Sequence, residues 1–446
     1  MTNYNSYISR SNAEANVPEE LANELVTGLE KASAALALGH RVPMSVLNQY
    51  IPAVSSLPQA YWNVPDAAPT ALLQTTNMAL SLNEIVAYEL GAIVPIPNNV
   101  IDDSMNQGID LFGTVVKPKA VEQMAKALDN AVIWGVNRPS GSNASVLETI
   151  AANSGGRVAY GDGVTSSTSH VTDTSASSSD VGLAVYGNGI PSGTTVSSQS
   201  TGSSLTLSAN ATVTATENLL LVPTSAPFVV AADVFASGHD SAADVLLAAQ
   251  SVAQCGFPVS SAWTSPGWQF RNMASRTQNL TANPVGTDAI PLLLGGLPIS
   301  PFAGNGAGNG AAGIGPVWNR LADSICGDWS QLKIGVRKDV TIDTFNTGVV
   351  SDGSGVVQIN LMQANMTAIR LTARYSWIIV QPPVADDSYT GASRSGFAMV
   401  TNSGAHSGPV GLSANVGPRT APAAEIPLGV NLQDDEQGTT RSGRRR

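Results

Sequence analysis

The sequence predicts an α+β protein with long antiparallel strands, one strong helix and a separate all-β stretch, and three observations carry that expectation. Residues 325–382 hold the first. Leu332, Ile334, Val336, Val340 and Ile342 alternate with Lys333, Gly335, Arg337, Asp339, Thr341 and Asp343. Further on, Ile369, Leu371, Ala373, Tyr375, Trp377 and Ile379 alternate with Arg370, Thr372, Arg374 and Ser376. Successive strand side chains point to opposite faces, so period two predicts two long strands, each with one apolar and one polar, partly basic face. Turn residues around Ser351-Asp352-Gly353-Ser354-Gly355 link them. The second observation is PKAVEQMAKALDNAVIWG at residues 118–135, where Val121, Met124, Ala125, Leu128 and Val132 form one helical stripe between Pro118 and Gly135. Were that helix to begin earlier, near Asp110, Pro118 would have to kink it. The third is an abrupt change of texture after Gly155, described below.

Composition narrows the function. The 446 residues are enough for two or three domains, and 43% of them are apolar, so the chain is globular. Only 12% are charged, about half the usual share, which suits a protein whose surface is largely interface rather than a soluble monomer. A net charge of −11 argues against a stand-alone nucleic-acid binder. Cys255 and Cys326 offer neither a disulfide framework nor metal spacing and read as small buried hydrophobes. The polar start MTNYNSYISRSNAEAN does not look like a signal peptide, and no apolar run has the length of a membrane span.

In chain order, residues 1–17 read as a flexible arm. Pro18-Glu19-Glu20 open a helix to about Leu38, with Leu21, Leu25, Leu29 and Ala32 on one face and Gly39 as its stop. Residues 57–97 contain five prolines among alternating apolar positions and no Lys or Arg from Gln59 to Pro97, which predicts a long extended hairpin. Asp102, Asp103 and Ser104 are helix-start residues. Residues 161–217 are rich in Ser and Thr, and no Lys or Arg lies between Arg157 and Arg271. Residues 180–222 keep a period-two pattern between Gly-rich turns and read as a small β-module; residues 161–179 are polar enough to read as linker. A helix follows at 240–254, capped by Asp240 or Ser241, then AWTSPGWQFRNMAS, then the strand-like IPLLLGGLPISPF and the glycine loop GNGAGNGAAGIG. Beyond Pro383 the Gly, Pro and Ser-rich chain reads as an extended or disordered tail ending in Arg444, Arg445 and Arg446.

No catalytic constellation emerges. Gly308, Gly310 and Gly313 match GxGxxG, but Pro301 and further glycines replace the strand that the dinucleotide fingerprint requires. His40, His170, His239 and His406 are isolated, so neither metal nor triad spacing results. Asp102-Asp103 reads as capping rather than as an acid pair. The chain is therefore expected to be no enzyme and to need no cofactor or metal.

Several stretches together resemble the major capsid proteins of tailed double-stranded DNA bacteriophages, with the HK-97-like fold. Gly327-Asp328-Trp329-Ser330 followed by KIGVRKDVTI is similar to the family segment in which the chain passes from the A domain to the P domain. LMQANMTAIRLTARYSWIIVQP resembles its last P-domain strands, AWTSPGWQFRNM and LGGLPI its A-domain helix and strand, and VPIPNNVIDDS with DNAVIWG the end of its E-loop and its spine helix. The resemblance covers most of residues 20–155 and 228–383. It implies an N-terminal arm (1–56), an E-loop (57–97), a P domain with the spine helix (98–136) and long strands (340–383), an A domain (137–339) and an extended tail (384–446). The Ser/Thr-rich module at 156–227 would be an all-β insertion projecting from the outer surface.

By the same resemblance the chain would be a shell protein, self-assembling into hexamers and pentamers of an icosahedral head around double-stranded DNA bound without sequence specificity. Portal, scaffold and cement proteins are the implied partners, with no membrane; the place is the virion, after assembly in the host bacterial cytoplasm. Trp62, Glu84, Glu89, Asp328, Trp329, Arg337, Arg370 and Arg374 are the expected subunit-interface residues, and Arg444, Arg445 and Arg446 would face DNA. Because the sequence starts close to the arm, a scaffold would be a separate protein or absent. The E-loop has no lysine, so Lys–Asn cross-linking is not supported. Two alternatives remain open at this point: an encapsulin-like compartment shell, and a Ser/Thr-rich surface binding protein.

Overall fold

A computed structural model of the chain describes residues 33–56, 79–106, 116–164, 167–187, 189–200, 203–212, 215–232, 241–265, 268, 293–294, 297–301, 321–351, 357–380 and 394–401. Most of the expected helix from Pro18 to about Leu38 lies outside the described residues; α1 (Ala34–Leu38) begins at its own N-cap, Ser33, and stops at Gly39. Strand β1 (His40–Pro43) follows, then β2 (Asn48–Ser56) and β3 (Ala79–Val86), which pair antiparallel from Asn48↔Val86 to Ser56↔Ala79. This hairpin thus starts nine residues before position 57, inside what the sequence assigned to the arm. β4 (Tyr88–Pro97) turns away from it to join another sheet.

Helix α2 (Asn98–Asn106) starts earlier than expected: Asp102 and Asp103 lie exposed in its middle rather than in its first turn. The strong helix is α3 (Lys117–Val132), with Pro118 in the first turn, where its missing N–H costs nothing, and with Met124, Leu128 and Val132 buried. Gly135 takes φ +72 just beyond it, and a Cβ there would collide with the Tyr160 hydroxyl at 2.2 Å. Helix α4 (Val146–Asn153) begins with a full capping box, the Ser145 hydroxyl accepting from the Glu148 amide while Glu148 accepts from the Ser145 amide.

The Ser/Thr-rich stretch folds as a six-stranded sheet. It comprises β5 (Arg157–Val164), β6 (His170–Thr172), β7 (Ala184–Tyr186), β8 (Val196–Ser200), β9 (Ser204–Leu207) and β10 (Ala215–Val222), in the order β7-β10-β5-β6-β9-β8. Its two edges meet: Ala184 bridges Thr195, Val185 donates to the Thr194 carbonyl and Val196 to the Leu183 carbonyl. The result is a small barrel filled by Val171, Val185, Val196, Leu205, Leu207, Leu219 and Leu221. Because strand faces alternate, Ala184, Tyr186, Leu220 and Val222 point the other way and join the main core. Residues 161–179, expected to be able to bury nothing, in fact bury Val171 and Asp173, and Asp180 is buried just beyond them. Arg157 explains how: its guanidinium binds Asp180 through both carboxylate oxygens (2.9 and 2.7 Å) and also binds Asp173. The aspartates are 1% and 3% exposed, so the one cation of the stretch neutralises buried charge that the loops alone could not hold.

A second six-stranded sheet joins β11 (Val229–Val230), β12 (Ser261–Thr264), β13 (Leu293–Leu294), β14 (Leu297–Pro301), β15 (Ala322–Gly327) and β20 (Phe397–Thr401), in the order β11-β20-β15-β12-β14-β13. Helix α5 (Ser241–Gln254) covers it with Val245, Ala248 and Val252. Cys326 lies fully buried beneath, its thiol 3.6 Å from the Val245 carbonyl and its pKa pushed up to about 12 by burial. Two sequence expectations change here. Ala262-Trp263-Thr264 form strand β12, not the start of a helix, and part of the tail is packed into the core: Phe397-Ala398-Met399-Val400-Thr401 is a fully buried strand between β15 and β11.

The third sheet has the order β1-β16-β19-β4, with β16 (Leu332–Phe345) and β19 (Met366–Ile379) paired antiparallel along their length, from Leu332↔Ile379 to Phe345↔Ala368. These are the two long strands expected from period two. Their connection carries a further hairpin, β17 (Val349–Ser351) with β18 (Val357–Asn360). Ile334, Ile369, Leu371, Ala373 and Trp377 form the buried face, which shares the main core with α3. The core is continued by an aromatic row: Trp134 to Trp263 at 5.9 Å, Trp263 to Trp329 at 6.4 Å, and Trp329 to Phe397 at 5.2 Å, the last two edge to face. Each such contact adds about 0.5–1.5 kcal/mol beyond area burial.

Candidate assembly interface

Two surfaces stay unexplained by the subunit's own packing. The first is the β2–β3 hairpin. Residues Gln49, Ile51, Ile85 and Ala87 face inward, and Ile85 is fully buried against Met44 and Ala87. The opposite face carries Tyr50, Pro52, Leu80, Leu82 and Glu84, since cross-strand partners share a face. Tyr50, Leu80 and Leu82 are 57%, 66% and 69% exposed, so a contiguous apolar face points at solvent on a thin two-stranded element. No Lys or Arg occurs between Arg41 and Lys117, which leaves the hairpin acidic. Isolated two-stranded hairpins are marginal in water, and an exposed apolar ribbon of this kind is a surface awaiting a partner.

The hairpin is rooted by a close approach. A Cβ on Gly335 of β16 would lie 2.2 Å from the Ser376 hydroxyl and 2.4 Å from the Met44 sulfur. Only glycine lets the hairpin base lie flat on the ribbon at that point, where Ser376 also contacts Met44 at 3.0 Å.

The second surface is the polar face of the ribbon beyond Gly335. Register places Arg370, Thr372 and Arg374 of β19 beside Asp343, Thr341 and Lys338 of β16 and Ile93, Gly91 and Glu89 of β4. Arg374 donates twice to Glu89, at 3.0 and 2.7 Å, and Arg370 pairs with Asp343 at 3.0 Å while its guanidinium sits 4.7 Å from the centre of the Phe345 ring. Thr341 and Thr372 hydroxyls meet at 2.9 Å. All four ion-paired side chains are largely open to solvent, so each pair is worth well under 1 kcal/mol to the fold. At the far end Val349, Val357 and Met362 are exposed around the β17–β18 turn.

Of the residues expected at an interface, Glu84, Glu89, Arg370 and Arg374 stand on these surfaces, and the fold brings Glu89 and Arg374 together. Arg337 is half-buried on β16. Asp328 and Trp329 do something else, and the expectation for them is corrected: both are buried inside the subunit. Asp328 caps a 3-10 turn (Trp329–Gln331) by accepting from the Ser330 amide and hydroxyl, while the Trp329 indole donates to the Ser261 carbonyl. Gly327, before them, pairs with Phe397, and a Cβ there would meet the Gly396 carbonyl at 2.4 Å. Trp62, Arg444, Arg445 and Arg446 lie outside the described residues. Sequence reasoning missed Tyr50, Leu80 and Leu82; the one local signal was the short alternation Leu80-Ser81-Leu82-Asn83, since 50–54 is a continuous apolar run. Among the described residues there is no cluster of His, Cys, Asp or Glu able to hold a metal ion, and no helix long and apolar enough to cross a membrane.

Two such open surfaces, an apolar hairpin face and a ribbon face bearing cations, are the kind of surface from which protein–protein interfaces are built. Comparison with known proteins is specific. Residues 14–212 match the model of the phage capsid family. The fold is similar to a solved structure from Microbacterium phage Oxtober96, with 21% identity, 89% of this chain and 99% of that chain covered, and a TM-score of 0.54. It is similar also to one from Mycobacterium phage Adephagia, with 20% identity, 89% and 98% covered, and a TM-score of 0.54. No curated protein matches. Residues 14–212 are thus similar to the phage capsid family, and the chain has a mixed α+β fold like that of these solved phage structures, of the HK97-like class.

Proposed function

We propose that this chain assembles into hexamers and pentamers that close an icosahedral head around double-stranded DNA, held without sequence-specific contacts. The observation that carries the reading is the exposed apolar face of Tyr50, Leu80 and Leu82 on a hairpin without cations. In this reading the hairpin is the outer part of an E-loop lying across a neighbouring copy, toward the Lys338, Arg370 and Arg374 face of its ribbon; opposite charge would set register and apolar contact the affinity. The arm would precede the hairpin and the ribbon with α3 would form the P domain. The second six-stranded sheet would be the A domain, with the barrel of residues 157–222 as an insertion into it on the outer side. Glu84, Glu89, Arg337, Arg370 and Arg374, with Trp62, would contribute to contacts between copies, and Arg444, Arg445 and Arg446 would touch packaged DNA. The subunit would act without catalysis and without a cofactor. It would assemble in the host cytoplasm, with portal, scaffold and cement proteins as separate partners and non-covalent locking, since the hairpin has no lysine for a cross-link.

Replacing Leu80 and Leu82 together by Glu tests the reading. Both side chains are exposed, so the subunit should keep its melting temperature within a few degrees while losing the ability to form shells. Shells of normal yield from the double variant would remove the hairpin from the mechanism.

A further inference from the structure

The loop between α3 and α4 touches the base of the hairpin and the ribbon at once, and one side chain makes both contacts. Asn143 donates from Nδ2 to the Trp377 carbonyl of β19 at 2.9 Å and to the Glu84 carbonyl of β3 at 3.2 Å. The Asn143 backbone carbonyl accepts from the Trp377 indole Nε1 at 3.1 Å. The loop that presents it is tightly specified. Gly135, Asn137 and Gly141 all take left-handed backbone, at φ +72, +55 and +82. Arg138 ties the loop to itself through the Ser142 carbonyl (2.9 Å) and to α4 through Glu148 (3.2 Å), while Ser145 caps that helix. The Tyr88 hydroxyl lies beside Gly141, at van der Waals distance (3.4 Å) from where a Cβ would stand.

We propose that Asn143 is a positioning residue for assembly: it pins the hairpin to the ribbon at a fixed angle, and so sets the direction in which the hairpin reaches a neighbouring copy. The chemistry supports a pin rather than general packing. Two carbonyls from different elements converge on one amide nitrogen, and an amide has two N–H donors, so both are served by a single group with no spare rotamer. The Glu84 side chain meanwhile accepts from Asn48 Nδ2 at 2.8 Å, so the strand that Asn143 grips is also stapled to its hairpin partner. Beyond this point, among the described residues, the hairpin rests on the ribbon through the small Met44, Ile85 and Ala87 cluster, with Ile51 and Ile378 at its edge. Loss of the pin should therefore free the hairpin's angle while leaving the core intact. The role in assembly rests on the shell reading above; the pin itself does not.

Asn143→Ala and Asn143→Asp test it in two arms. In the unassembled chain, amide hydrogen exchange of residues 48–56 and 79–86 should quicken by roughly three- to tenfold in the Ala variant, as for the loss of one net hydrogen bond. It should quicken further in the Asp variant, whose carboxylate would face two carbonyls. Exchange in β15 and β20 should not change. If the Ala variant also loosens β15 and β20, Asn143→Ser, which keeps one donor, is measured in its place with the same expectation. In the assembled state, the variants should give a broadened distribution of shell diameters by electron microscopy. Unchanged exchange in the hairpin overturns the pin outright. Faster exchange with shells of unchanged, uniform diameter overturns its role in assembly. Failure of the unaltered chain to form shells would count against the shell reading and leave the exchange arm to decide the pin.

Discussion

Replacing Arg157 by Met separates charge from volume at the root of the barrel. The guanidinium is 25% exposed, but the two carboxylates that it binds are 1% and 3% exposed, so the variant would leave two ionised groups buried with no cation. Removing one partner of a buried ion pair costs about 3–5 kcal/mol. A second route gives the same size: neutralising a single aspartate of ordinary pKa 3.8 at pH 7 costs about 4 kcal/mol. The pH sign follows from Asp173. Burial raises its pKa, but Arg157 and the Ser175 hydroxyl and amide outweigh that and hold it below the usual carboxylate range. Its contribution is therefore present above the unfolded value and lost only as pH falls through the depressed folded one. The unaltered chain should keep the barrel intact at pH 4, whereas in the variant protonation becomes cheap there. Urea unfolding with hydrogen exchange read over residues 170–186 should show a loss of about 3–5 kcal/mol at pH 7, shrinking to roughly 1–2 kcal/mol at pH 4. A loss below about 1 kcal/mol at pH 7, or one independent of pH, would refute the claim that Arg157 neutralises buried charge.

Gly335→Val should lift the hairpin base off the ribbon, because Ser376 and Met44 must both move; a melting shift worth about 1–3 kcal/mol, with faster exchange in 48–56, is expected, and an unshifted melt would contradict the contact. Gly327→Ala should cost at the top of the same range of about 1–3 kcal/mol or beyond, since the obstacle is the Gly396 backbone; a well-folded variant of full stability would show that β15 and β20 are not so close. Asp129 of α3 is 3% exposed and accepts from the Ala34 and Ala35 amides at 2.8 and 3.0 Å and from the Ser33 hydroxyl. Burial outweighs these bonds and pushes its pKa up to about 6 from 3.8. A raised folded value means that its contribution is fully present below about pH 4 and is lost as pH rises through 6, a change of about 3 kcal/mol at most. Asp129→Asn should flatten stability between pH 4 and 7, and an unaltered slope would sink that assignment.

What could be read in the sequence is what repeats. The ribbon strands were legible because Ile369, Leu371, Ala373, Tyr375 and Trp377 keep period two over a long run, and α3 because its stripe spans four turns between Pro118 and Gly135. Phe397–Thr401 was not legible: five residues buried on both faces have no period, and the Gly and Ser-rich surroundings read as tail. Residues 161–179 misled for the opposite reason. Their polarity is real, but Asp173, and Asp180 just beyond them, are buried by an arginine that precedes both in the chain, and such pairing is invisible to local composition. The same holds for Asp328 and Trp329. Their motif lies between β15 and β16, where its residues cap a turn and fill an aromatic row, so their regularity was structural. The hairpin face went unread because Tyr50 and Leu82 acquire a common face only when 48–56 pairs with 79–86, and that register depends on contacts across the chain.

The most direct test of the central claim is the size of the purified full-length chain, measured by sedimentation velocity with negative-stain microscopy of the same sample. The shell account predicts closed particles or capsomer rings, and nuclease-protected double-stranded DNA within native particles. A monomer that persists unchanged across concentration, with no rings or shells at any salt or pH that keeps it folded, would contradict it.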